Sequence, residues 1–200
     1  MERGLLIMHR HPFPTRSATG LALLAVLLSC CACSGPRVHA FARHGAETRR
    51  VAVLPFRNNT AVPEAARIVT GTVIAGLVEQ GRHRVEFPGN VTGFLIRERI
   101  IVRQGVPTEA IALMGTRLGV DAVLMGEVEE FTGTEERRPD VIPRVGLCVR
   151  LVDAHTGNIL YMAHHVRSGH DYVRVLDFGL VRSVGALTRH VVAELLEDMP

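Results

Sequence analysis

The sequence predicts a single α/β domain, a mixed β-sheet flanked by helices, carried behind a cleaved lipoprotein signal peptide. Three observations predict it. Residues 20–35, GLALLAVLLSCCACSG, join an apolar run to a cysteine. Residues 51–56, VAVLPF, form an unbroken apolar run, and apolar residues at helical spacing follow it. Residues 144–153 alternate apolar and polar before a turn and a returning strand.

The leader comes first. Arg3, Arg10 and Arg16, with Glu2 as the only acid, precede eight apolar residues at 21–28. That run suits the core of a signal peptide and is well short of the ~18 residues a spanning helix needs. It ends in Leu27-Leu28-Ser29-Cys30, which resembles the bacterial lipobox: an aliphatic residue, a small residue, then the cysteine that is cut free and diacylated. Cys31 and Cys33 fit that pattern less well, so Cys30 is the expected lipidation site, with residues 1–29 removed. The competing readings are a secreted protein cut after the run and an uncleaved anchor, and Met8 is an alternative start. Two acyl chains hold a protein on a bilayer where one binds reversibly. Cys31 is not the aspartate that retains enteric lipoproteins at the inner membrane. The expectation is therefore a lipid anchor at the outer membrane, on its periplasmic face, with the inner membrane as the alternative.

Of 200 residues, the 171 that remain after cleavage suit one domain. The leader removes three of 23 Arg and one of 20 acids, so the mature chain holds 20 against 19 and is nearly neutral. Nucleic acid is not expected as a partner, because its binding needs a clustered positive surface. Beyond the anchor, Cys31, Cys33 and Cys148 imply no disulfide framework, and Cys148 is read as a small core residue of a strand. Residues 30–50 lack an apolar period and read as the lipidated terminus and a flexible linker, at most about 70 Å when stretched.

The folded domain is expected over 51–200. VAVLPF reads as a central strand covered on both faces, with Pro55 ending its pairing and the chain leaving the sheet through Arg57, Asn58, Asn59 and Thr60. Val62, Ala66, Val69, Val73 and Leu77 mark one face of a helix over 63–80, stopped by Gly81. A short strand follows at 83–87. Pro88-Gly89-Asn90 reads as a break before helices at 91–102 and 107–118, the second closed by Gly119. Residues 121–131, DAVLMGEVEEF, make a strand that turns acidic as it leaves the core. In the strand at 144–153, Val145, Leu147, Val149 and Leu151 share one face. Gly157 turns the chain into a partner at 158–167. Apolar residues from Val173 to Leu195 recur every three or four positions, which predicts a helix over 171–197. Gly179 and Gly185 mark a bend or a close contact or, equally, a break into two helices.

VAVLPFRNNT, LVEQGRHRV, LGVDAVLMGEVEEF and VRLVDAHTGNILY, in this order, resemble the periplasmic core shared by the curli-secretion lipoprotein CsgG, the penicillin-binding-protein activator LpoB and the N-terminal domain of TolB. The resemblance covers nearly all of the mature chain and implies an assembly or accessory lipoprotein of a cell envelope. Connections 132–143 and 154–157 have no room for the membrane-spanning hairpins of a CsgG-type pore. The short linker also departs from the long stalk of an LpoB-type activator.

Function is expected to reside in protein contact. Arg57, Asn58, Asn59 and Thr60, and the run Glu135, Glu136, Arg137 and Arg138, are polar segments leaving apolar strands, where α/β domains present binding groups. The expected partners are the membrane through the lipid, an envelope protein and a second copy of the chain. No catalytic residue, metal or cofactor is assigned. Ser34, Ser168 and Ser183 lie outside any G-x-S-x-G, and no glycine-rich loop follows VAVLPF. Glu127, Glu129 and Glu130 suit a solvated strand end better than an acid–base pair, with Glu127 and Glu129 on one face. His164 and His165 point to opposite faces and share an ion poorly. The alternative reading is a lipid-anchored, periplasm-facing hydrolytic enzyme.

Overall fold

The computed structural model describes residues 39–42, 49–133, 141–174, 176 and 178–200. Cys30, Cys31, Cys33 and the run from Glu135 to Arg138 lie outside the described residues. In chain order the elements are β1 (His39–Ala42), β2 (Arg50–Val53), β3 (Arg57–Asn58), α1 (Ala65–Gln80), β4 (Arg84–Val85), α2 (Pro88–Arg97), α3 (Thr108–Leu118), β5 (Ala122–Thr132), β6 (Arg144–Asp153), β7 (Ile159–Ser168) and α4 (Val184–Glu197). Short 3-10 turns occupy Val102–Gln104 and Gly169–Tyr172.

The strands form one seven-stranded sheet in the order β1-β7-β6-β5-β2-β4, with β3 also on β5. It is mixed: β2 runs parallel to β4 and β5, while β5, β6, β7 and β1 are antiparallel in succession. Val51, Ala52, Val53 and Leu54 are all buried, as the unbroken apolar run predicts. Pairing holds to Leu54, whose N–H donates to the Leu124 carbonyl at 2.9 Å. The chain does not then leave the sheet. Pro55 removes one donor, but β5 extends past it, and Arg57 and Asn58 resume pairing opposite Glu127 and Val128.

Two layers cover the sheet. On one face α1 and α4 close over Val145, Leu147, Val149 and Leu151, all fully buried. α1 contributes Ala65, Val69, Val73 and Leu77, and ends where Gly81 takes φ 64 and donates back to the Leu77 carbonyl. On the other face α2 and α3 pack Val91, Phe94, Ile111 and Met114 against Ala52, Leu54, Val123 and Val152. That second layer covers only the β2 side of the sheet. Among the described residues no helix covers the rest of this face, on β5, β6 and β7.

Three elements depart from expectation. Pro88-Gly89-Asn90 forms the first turn of α2 instead of breaking the chain. A proline at the first helical position gives up an N–H that has no partner there anyway. Buried Glu86 braces this start, accepting from Asn90 Nδ2 at 2.7 Å and Arg50 Nε at 2.8 Å. The last helix begins at Val184, not near 171. Ser168 and Asp171 cap the preceding 3-10 turn, Gly179 takes φ 92, and the Ser183 hydroxyl accepts from Ala186 N–H at 3.2 Å, so the apolar period is cut by a turn and a fresh cap. Finally, β1 lies inside the stretch read as linker, pairing His39–Ala42 along β7.

Candidate functional site

The uncovered half-face is built by strand alternation. In β6 the residues between the buried ones are Arg144, Gly146, Cys148 and Arg150, and register places Cys148 between Glu127 and His164 and Arg150 between Met125 and Met162. A bulge in β5 between Val128 and Glu130 breaks strict alternation. As a result Glu127, Glu129 and Glu130 all serve this one face.

The charges on it are paired across strands. Glu127 forms a salt bridge with Arg57, accepts from Asn59 Nδ2 at 3.0 Å, and lies 3.5 Å from an Arg150 nitrogen. Glu129 Oε2 is 2.8 Å from His164 Nε2, and Arg144 Nε donates to Glu130 Oε1 at 2.7 Å. Met162, opposite Arg150, is exposed. The face is nearly self-neutral, three glutamates against three arginines.

The candidate loop after β2 therefore divides. Arg57 and Asn59 join the face through Glu127. Asn58 and Thr60 build the turn into α1 instead: Asn58 Nδ2 donates to the Val62 carbonyl at 2.8 Å, while Asn58 Oδ1 accepts from the Thr60 N–H at 3.0 Å and hydroxyl at 2.8 Å. Arg150 and Arg144, absent from the expected contact residues, belong to the site. Their signal was the polar half of the alternation in 144–153.

Cys148 is not a core residue; it is half-buried on the uncovered face. Its thiol is beside His164 in register, and Glu129 follows, an order of groups suggestive of a nucleophile with its base. The chemistry runs the other way. Burial, then the charges of Glu129 and Glu127, push the thiol up, away from the reactive thiolate. A cavity of about 50 Å³ beside Arg57, Met125, Glu127 and Arg150 has room for water only. Among the described residues no group of His, Cys, Asp and Glu is placed to hold a metal ion, and no helix is long and apolar enough to cross a membrane.

His164 and His165 do point apart. His165 lies on the covered face, 1% exposed, with neither ring nitrogen hydrogen-bonded and Nδ1 3.8 Å from Glu194 Oε2. Burial, then neighbouring Arg167, lowers its proton affinity. Arg167 Nε donates to Glu194 at 2.8 Å and the Tyr172 hydroxyl donates to the same carboxylate at 2.6 Å. The Tyr161 hydroxyl donates to the Leu195 carbonyl at 2.7 Å. These bonds fasten α4 to β7. A broader depression of about 590 Å³ lies beyond them, lined by Asp171, Tyr172, Arg174, Phe178 and His190. Its Tyr172 and Asp171 are already engaged, with Glu194 and with the Ser168 N–H.

No family model matches the chain, and no curated protein matches it. Solved structures do. The PelC dodecamer from Paraburkholderia phytofirmans aligns over 80% of this chain and 94% of that one, at 20% identity and TM-score 0.56. Lipoprotein GNA1162 from Neisseria meningitidis aligns over 74% and 99%, at 21% identity and TM-score 0.49. The LpoB C-terminal domain from Salmonella enterica aligns over 63% and 87%, at 14% identity and TM-score 0.46. The chain thus shares the fold of PelC, an α/β domain with a mixed sheet.

Proposed function

We propose that this chain is a bacterial lipoprotein, anchored through Cys30 on the periplasmic face of the outer membrane, that acts without catalysis as a binding or assembly factor in the cell envelope. One observation carries the reading: among the described residues no helix covers half of a sheet face, and the charges on it are paired across strands, with Met162 exposed beside Arg150. Such a surface suits contact with another protein better than capture of a small molecule, which needs a concave apolar site. The dodecamer formed by PelC, which shares the fold, makes a second copy of the chain the favoured partner. The resemblance to the CsgG, LpoB and TolB group supports the same envelope role.

The test is native mass spectrometry of the full chain in mild detergent, with crosslinking in cells. Met162→Glu adds a charge to the face at little structural expense and is expected to abolish oligomers and crosslinks. Val78→Glu, on the exposed side of α1, is expected to leave both intact. Oligomers that survive Met162→Glu would move the contact elsewhere. Labelled palmitate persisting in Cys30→Ala would reassign the anchor.

A further inference from the structure

The path of the chain into the fold has a direction. β1 runs antiparallel to β7 with His39 opposite His164, so the chain arrives at the end of the sheet from which β7 departs at Ser168. β6 begins at that end, with Arg144 opposite Ser168, and β5 finishes there at Thr132. His39 comes only nine positions after Cys30. Fully stretched they reach about 30 Å, against about 70 Å for the linker read from sequence. An anchor at Cys30 therefore keeps this end of the sheet close to the bilayer.

The same end carries an apolar tip. Leu176 is 92% exposed and Phe178 80%, the two most exposed large apolar side chains among the described residues. The base of the loop is held. Val181 N–H donates to the Gly169 carbonyl at 3.1 Å, and Arg174 N–H to the Phe178 carbonyl at 2.8 Å. Gly179 sits so close under the Tyr172 carbonyl that a side chain there would collide with it. Leu176 takes φ 46, a left-handed conformation that a leucine seldom adopts. Exposed Arg174 and Arg182 flank the tip, with Asp177 as the one acid between them.

We propose that Leu176 and Phe178 insert into the interface of the bilayer that holds the lipid, with Arg174 and Arg182 at its phosphates, so that the domain stands on the sheet end from which it is tethered. This rests on the Cys30 anchor proposed above. An aromatic and an aliphatic side chain flanked by arginines is the composition that partitions to a membrane interface, its apolar part among acyl chains and its cations among headgroups.

The chain contains no tryptophan, so a single reporter is clean. Phe178→Trp, and as control Ile96→Trp on α2, are made in the full lipidated chain. Each is reconstituted into vesicles of phosphatidylethanolamine and phosphatidylglycerol, with and without brominated acyl chains. The expected result is flotation of both variants, with Phe178→Trp emission shifted to the blue and quenched at least twofold by bromine while Ile96→Trp emits as in water. Flotation without quenching at position 178, or equal quenching at both positions, overturns the contact and leaves the anchor standing. A blue shift without quenching gives the tip to a protein neighbour and equally overturns the proposal. Failure to float with the vesicles removes the anchor, and this orientation with it.

Discussion

The two faces of β5, β6 and β7 are made by neighbouring residues of the same strands and have opposite chemistry. On one side Val145, Leu147, Val149 and Leu151 are sealed beneath α1 and α4. On the other, Arg144, Cys148 and Arg150 meet glutamates across the sheet. The difference teaches how the molecule divides its tasks: one face supplies cohesion through apolar area removed from water, and the other carries charges that neutralise one another, as the proposed contact needs. If this division holds, equal-sized changes one residue apart should differ greatly in effect.

The largest effect is expected at Val149→Asp. An unpaired carboxylate among fully buried side chains costs several kcal/mol, comparable with the stability of a whole domain. The full chain in mild detergent should then show no cooperative melting transition by circular dichroism. A transition near that of the parent would mean that the α1–α4 face is not the principal core.

Acid should weaken the sealed face next. His165 is held neutral, its proton affinity lowered from the ordinary value of 6.5 by burial and by Arg167. As pH falls through that value the unfolded chain takes up a proton that the folded one refuses, so stability is full above about 6.5 and declines below it. His83, lowered by burial and by Arg82, acts in the same sense. Glu86 is pushed up by burial but held below its usual value by Asn90 and Arg50, and its contribution is lost only at more acid pH. The expected outcome for His165 is a loss of stability between pH 7.5 and 5.5. His165→Leu should flatten this dependence and be neutral or stabilising at pH 7.5, because both ring nitrogens lack partners. An undiminished slope would transfer the effect to His83.

The smallest effect belongs to the uncovered face. Glu129 and His164 are each more than two-fifths exposed, and exposed pairs contribute about 0–1 kcal/mol. Glu129→Gln should shift the free energy of urea unfolding by less than about 0.5 kcal/mol. A shift several times larger would mean that this face is covered in the folded state, as the proposed contact between copies would make it, and the shift should then depend on protein concentration.

Much of the fold was legible in local pattern. The period of two in 144–153 located β6 and its buried side, and the spacing of Val69, Val73 and Leu77 located α1 and its sheet-facing side, because those residues have no other way to leave water together. Gly81, Gly119 and Gly157 ended their elements with positive φ where expected. Pattern misled where proline and glycine carried two meanings. Pro88 opened a helix instead of ending a strand, and Gly179 with Ser183 cut an apolar period that continues on paper from Val173 to Leu195. β1 was invisible because four residues beside polar sequence carry no period, and only the free edge of β7 gives them a partner.

The candidate site shows the same boundary. Sequence placed Arg57 and Asn59 among the contact residues but could not separate them from Asn58 and Thr60, which differ only in where their hydrogen bonds go. It located the three glutamates of β5, but the bulge at Val128/Glu130 that turns them to one side is a property of pairing with β6. By itself the sequence determined the order and kind of most elements and which strand residues are apolar, since period and composition act over a few neighbouring positions. Only the tertiary structure decided which half of the sheet face goes without a helix, which charges meet across strands, and that the chain's entry and the Leu176–Phe178 tip share one end. Those outcomes depend on residues such as His39 and His164, or Glu127 and Arg57, that are far apart along the chain and become neighbours only when the sheet closes.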